Sequence, residues 1–196
     1  FYDLGGGTFD VTIARVSHKG VTVLGSDGDH RLGGKDWDDA IARYVATMLS
    51  DDHGIDVSDD TGLYTAIQSK CEQAKRQLSA RREVAVPVFA SGQRLSIALT
   101  QDEFAQIAEP LCERTLDIVD RLFQDLMIGW RDIDAIILVG GSTRMPMVRA
   151  YLEGRTDTPI EAGVQVDQAV ALGAAIKANA SMEGSQAPGL QLGVIG

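Results

Sequence analysis

Cysteine is scarce: the 196 residues hold two, Cys71 and Cys112. Two cysteines build no disulfide framework, and this usage predicts a reducing, cytoplasmic compartment. His18, His30 and His53 show no metal-ligand spacing and no cysteine neighbours, which argues against a zinc site. No Ser/His/Asp or Cys/His grouping suggests nucleophilic catalysis. Positive charge is the minority, with 18 Lys and Arg against 28 Asp and Glu and a net charge of −10. Such a surface repels phosphate backbones and anionic lipid, so the expectation is no nucleic-acid partner and no membrane. No apolar stretch approaches the roughly 18 to 20 residues that span a bilayer, and none reads as a signal peptide. The first residue is not Met, and Phe1-Tyr2-Asp3-Leu4 already reads as strand; the expectation is a fragment of a longer chain. What is present is ordinary for a globular protein: 44% hydrophobic and 23% charged residues, enough for one domain or two small subdomains.

Strand and helix patterns alternate. Phe9, Val11, Ile13 and Val16 alternate with polar residues, and Val21 to Leu24 follow the turn residues Ser17-His18-Lys19-Gly20, predicting a hairpin. Asp27-Gly28-Asp29 and Gly33-Gly34 punctuate the chain. Trp37, Ile41, Tyr44, Val45 and Met48 have helical spacing after an acidic start, and residues 51–60 read as a polar loop. A second helix is predicted over 63–79, strands over 83–89 and 94–99, and a long helix opened by the Thr100/Glu103 capping box. Pro110 predicts a kink or break in it. Ala135-Ile136-Ile137-Leu138-Val139 reads as a strand buried on both faces. A helix over 145–152 carries Pro146 in its first turn, and a last helix is predicted over 167–178 before a linker-like tail, placed at 181–196.

Three stretches could carry chemistry. In Asp3-Leu4-Gly5-Gly6-Gly7-Thr8-Phe9-Asp10, glycines between two strands let backbone N–H groups approach an anion, Thr8 adds a hydroxyl, and Asp3 and Asp10 could hold the water shell of Mg²⁺. Taken alone, the loop is equally a plain glycine hairpin. Gly140-Gly141-Ser142-Thr143-Arg144-Met145-Pro146 is a strand-to-helix turn whose free N–H groups could bind a ligand edge, with Arg144 able to stack on a base. It also reads as an ordinary connection. Glu72, Lys75, Arg76 and Ser79 share a helical face, roughly opposite Cys71, Ala74 and Leu78. By itself that face reads as a solvated one with a Glu72–Arg76 pair.

The combination, over about residues 1–180, resembles the second lobe of the ATPase domain of the 70-kilodalton heat-shock (DnaK-type) chaperones. Residues 3–10 resemble the family's second phosphate loop. Leu32-Gly33-Gly34-Lys35-Asp36-Trp37-Asp38 is similar to its L-G-G-E-D-F-D segment, residues 71–79 to its adenosine-contacting helix, 138–146 to its adenosine loop and 167–175 to its second connecting helix. All five stand in the family's order. Lys35 replaces the usual Glu, Trp37 replaces Phe, and Gln165-Val166-Asp167-Gln168 stands for Asn-Pro-Asp-Glu; the resemblance is to a divergent, bacterial-looking member.

The resemblance implies an α/β fold: an actin-like, ribonuclease-H-like lobe from residues 1–32 and 111–180, with an α+β insertion over 33–110. It implies ATP or ADP with Mg²⁺, and K⁺ beside it, as cofactors. Gly6, Gly7 and Thr8 would contact phosphates. Asp3 and Asp10 would hold the metal, with Asp3, Thr8 and Asp10 as the catalytic set. Glu72, Lys75 and Ser79 would contact ribose and adenine, with Arg76 stacking from one side. Gly141, Ser142 and Arg144 would close the other, Gly34 would lie at the nucleotide edge and Asp167 near the base. The implied function is a chaperone ATPase of a longer parent, with nucleotide-exchange factors and J-domain co-chaperones as partners. The 196 residues carry no Asp-x-Gly-Thr first phosphate loop, and alone are expected to be catalytically incompetent. Two rival readings remain: another actin-like ATPase or kinase, and a lobe whose business is protein interaction.

Overall fold

The structure is a computed structural model that describes residues 1–17 and 20–161. The predicted last helix, the tail and Asp167 lie outside the described residues.

Strand β1 (Tyr2–Leu4) turns into β2 (Phe9–Ser17), which pairs with β3 (Gly20–Asp29) as the predicted hairpin. Helix α1 (Gly34–His53) and helix α2 (Thr61–Leu78) follow, then the hairpin β4 (Glu83–Ala90) and β5 (Gln93–Thr100). Helix α3 (Gln101–Leu126) leads to β6 (Ile136–Val139), a 3-10 turn (Gly141–Arg144), α4 (Pro146–Glu153) and β7 (Ile160–Glu161). The main sheet runs β3-β2-β1-β6-β7. Its β1–β2 and β2–β3 pairs are antiparallel, and its β1–β6 and β6–β7 pairs are parallel.

Alternation along β1 and β2 decides what faces the core. Tyr2, Leu4, Phe9 and Val11 are buried. Asp3 and Asp10 lie directly opposite each other in the register, and by the two-residue period of a strand they share the other face. The buried Tyr2 hydroxyl donates to Thr115 Oγ1 of α3 (2.7 Å), which in turn donates to the carbonyl of Cys112 (2.6 Å). Burial pushes the Tyr2 phenol up. Ion pairs Arg114–Asp29 and Arg121–Asp27 fasten the solvent side of α3 to β3.

Several expectations need correction. Of the kink or break expected at Pro110, the break does not occur: helix α3 runs on through the proline, because its Thr100/Glu103 capping box and a buried stripe from Phe104 to Phe123 hold the helix on both sides of it. Strand β6 alternates buried and half-buried residues, so only one of its faces is sealed. Helix α1 continues to His53, and Gly54, in the left-handed region (φ 66°), ends it by donating to the carbonyls of Leu49 and Ser50. Asp27-Gly28-Asp29 does not interrupt β3. Gly28 is there for close approach, since a Cβ would stand 2.5 Å from the carbonyl oxygen of Phe9.

Candidate functional site

The turn between β1 and β2 is closed by the Gly5 N–H donating to the Thr8 carbonyl (2.9 Å). Its outer side is gripped by α1: the N–H of Gly34 donates to the Gly5 carbonyl and that of Lys35 to the Gly6 carbonyl, both at 2.9 Å. Two of the helix's orphan amides are thereby satisfied, and the turn is held rigidly. Gly33 approaches it so closely that a Cβ would stand 2.5 Å from the backbone of Gly7. The Gly6 and Gly7 N–H groups have no acceptor among the described residues, and no atom lies within 4 Å of where either Cβ would be. Exposed, unclaimed amides in open space are what an anion-binding turn requires.

A cleft of about 690 Å³ opens beside this turn. It is lined by Gly6 and Gly34, by Glu72, Lys75, Arg76 and Ser79 of α2, and by Gly141, Ser142 and Arg144 of the 3-10 turn, with Lys35, Asp38 and Met145 completing it. Four segments, the β1–β2 turn, the start of α1, α2 and the 3-10 turn, therefore meet at one cleft. Gly140 makes the meeting possible. Its φ is +88°, and a Cβ would stand 2.3 Å from the Leu4 oxygen and 2.6 Å from Asp3 Oδ1. The Ser142 hydroxyl then donates to the Gly5 carbonyl (2.9 Å), tying the second glycine turn to the first. Gly34 leaves room for both, since a Cβ there would lie 2.4 Å from Ser142 Oγ and 3.0 Å from Lys75 Nζ.

The α2 face differs from its sequence reading in one respect. Lys75 is buried with Cys71, Ala74 and Leu78 rather than standing opposite them. Its ammonium donates to the Gly34 carbonyl (2.5 Å) and pairs with Asp38 (2.9 Å). Burial pushes the Asp38 carboxyl up, and Lys75 opposes that shift. Arg76 and Glu72 form the expected pair (2.6 Å) on the exposed rim, and the Ser79 hydroxyl leans on the Lys75 carbonyl (3.5 Å).

Asp3 and Asp10 do not line the cleft. They form a facing pair on β1 and β2 beneath the turn. Burial, and then the neighbouring Asp10 charge, hold the Asp3 carboxyl above its ordinary range. Like charges set side by side this way are what a cation relieves. Thr8 and Gly7 also lie outside the lining, on the exposed turn. Among the described residues, no cluster of three or more His, Cys, Asp or Glu stands ready for a metal. A pair of carboxylates suits Mg²⁺, which keeps most of its waters.

Asp38 and Met145 were not singled out from sequence. Asp38 acts through a helix-to-helix ion pair, and Met145 is a buried residue capping the turn; neither contact has a local spacing to reveal it.

The family model described as Hsp70 protein matches residues 1–192. The proteins named Chaperone protein DnaK from two strains of Halobacterium salinarum, ATCC 29341 and ATCC 700922, are each 40% identical over 182 residues. That alignment covers 90% of this chain and 29% of each relative, so the chain spans less than a third of the curated proteins it matches.

Proposed function

The chain belongs to the Hsp70 family, and on that premise we propose that it forms the adenosine side and one phosphate loop of a Mg²⁺-nucleotide site serving a chaperone ATPase. Its mixed α/β architecture is that of the actin-like ATPases. The observation that carries the reading is the single cleft of about 690 Å³ in which Gly6, the α2 residues 72–79 and the turn 141–144 converge. That volume lies in the roughly 300 to 1,000 Å³ range of small-molecule sites.

In this reading the Gly6 and Gly7 N–H groups and the Thr8 hydroxyl receive the β- and γ-phosphates. Arg76 and Arg144 bracket the adenine, their flat guanidinium groups stacking on it. Glu72 and Ser79 take ribose and purine edges. The Lys75 ammonium donates to the Gly34 carbonyl and its charge is paired with Asp38, so it keeps donor capacity for the ligand and otherwise holds α2 against α1. Gly34, Gly141 and Ser142 form the edge against which the nucleoside lies.

Asp3 and Asp10 would hold the waters of Mg²⁺, with K⁺ beside it. The bound metal neutralises charge on the phosphates. Hydrolysis in the longer protein is attack by an ordered water, driven by positioning and charge stabilisation. The 196-residue chain alone is expected to bind nucleotide and not to turn it over. Residues 33–110 form the insertion subdomain in this proposal, packed on a unit made of 1–32 and 111–180.

Calorimetry with ADP and Mg²⁺ tests the reading. Wild type binds with one site, and Arg144→Ala weakens binding by about 0.5 to 2 kcal/mol, the scale of a guanidinium stacked on an aromatic ring. Unchanged affinity in Arg144→Ala would refute the assignment.

A protein-docking role for the insertion is favoured by a separate observation. Phe89 is 65% exposed at the rim of an apolar groove of about 520 Å³ between α2 and the β4–β5 hairpin. Nucleotide-exchange factors are the proposed occupants and J-domain proteins further partners of the parent. Loss of exchange-factor binding in Phe89→Ala, with ADP affinity intact, is the expected result.

A further inference from the structure

The basic side chains around the cleft differ in their commitments. Lys75 is paired with Asp38 and Arg76 with Glu72. Lys35 lines the same cleft, is exposed, and has no carboxylate partner among the described residues. Its position is wrong for a cation on local grounds. With Gly33 as the N-cap, Lys35 is the second residue of α1, where the positive end of the helix dipole favours carboxylates such as the adjacent Asp36. A residue that breaks a local rule with no repayment in packing marks a functional position. Its backbone supplies the location: the Lys35 N–H donates to the carbonyl of Gly6, the glycine whose own N–H is unclaimed (2.9 Å).

We propose that Lys35 is a specificity-determining residue of this cleft, its ammonium contacting the polyphosphate of the nucleotide and favouring ADP and ATP over adenosine. The proposal rests on the nucleotide reading above. It also explains how a chain of net charge −10 attracts an anion locally. An ammonium at this position supplies positive charge to the cleft without a metal ion. The nucleotide diphosphate is therefore held here with less dependence on Mg²⁺.

Calorimetric titration of wild type, Lys35→Ala and Lys35→Glu with ADP and with adenosine, each with Mg²⁺ and with EDTA, tests this. Lys35→Ala should weaken ADP about fivefold, the scale of an exposed charge pair, and more steeply in EDTA. Lys35→Glu should weaken it further. Adenosine affinity should not move in either variant. Lys35→Glu should also raise the thermal midpoint, because a carboxylate suits the helix start; a merely structural lysine would move stability and affinity in the same direction. Equal ADP affinity in all three proteins, or equal losses for adenosine and ADP, overturns the role of Lys35 and leaves the nucleotide site standing. Wild type that binds neither ligand overturns both.

Discussion

Three glycines do different work at the site, and each can be tested by one methyl group. Gly33 lies against the backbone of Gly7, Gly34 against Ser142 and Lys75, and Gly140 combines close approach with a positive φ. Because the Gly33 neighbour is backbone, it cannot swing aside. Gly33→Ala is expected to cost about 1 to 3 kcal/mol, the usual range for overpacking, as a lowered midpoint in denaturant. At Asp3 the effect is one of pH. Its carboxyl is raised above the ordinary value of 3.8, first by burial and then by Asp10. The folded state thus binds its proton more tightly than the unfolded state. The stability this contributes is complete below about 3.8 and is lost as pH rises through the folded value. Asp10→Asn removes the facing charge, and should stabilise the Mg²⁺-free chain at neutral pH by about 0.2 to 1 kcal/mol, read as a thermal shift, while abolishing any gain from added Mg²⁺. Glu72→Ala should weaken ADP yet change stability by under about 0.5 kcal/mol, since its pair with Arg76 is solvent-exposed. At this scale the sequence was most readable where chemistry is local. The glycine turns and the i, i+4 pair of Glu72 and Arg76 announce themselves. The burial of Lys75 did not, because its partners Asp38 and Gly34 belong to another helix.

Among the elements, α3 contains the clearest conflict between propensity and packing. Pro110 lies exposed inside a 26-residue helix whose other face is sealed by Phe104, Ala108, Cys112 and Leu116. Burial of that stripe outweighs the lost backbone bond, which is why a break expected from proline chemistry did not appear. Pro110→Ala is expected to stabilise the chain by up to about 3 kcal/mol, measurable as a higher unfolding midpoint. Helix and hairpin positions were legible from period and capping: the Thr100/Glu103 box and the β4–β5 pairing stand where their patterns place them. Helix ends were less so. The polar residues Asp51 to His53 read as loop, yet Gly54 is the residue whose left-handed conformation stops α1.

Across the whole molecule, sheet order is the property that makes a site. Placing β1 between β2 and β6 brings the Gly5–Thr8 turn beside Gly140–Arg144, and α1 then delivers Gly34 and Lys35 to the same place. No local pattern encodes that order, and the resemblance of five motifs implied only the actin-like class of fold, without its strand order. The Hsp70 membership makes the nucleotide reading specific. Its most direct test is a two-dimensional amide spectrum of the ¹⁵N-labelled chain titrated with ADP and Mg²⁺, with adenosine as the control. The account predicts that both ligands shift Ser79, Gly141 and Ser142, and that only ADP shifts Gly6 and Gly7. Shifts that leave all five amides in place, or move Gly6 and Gly7 equally with adenosine, would contradict it.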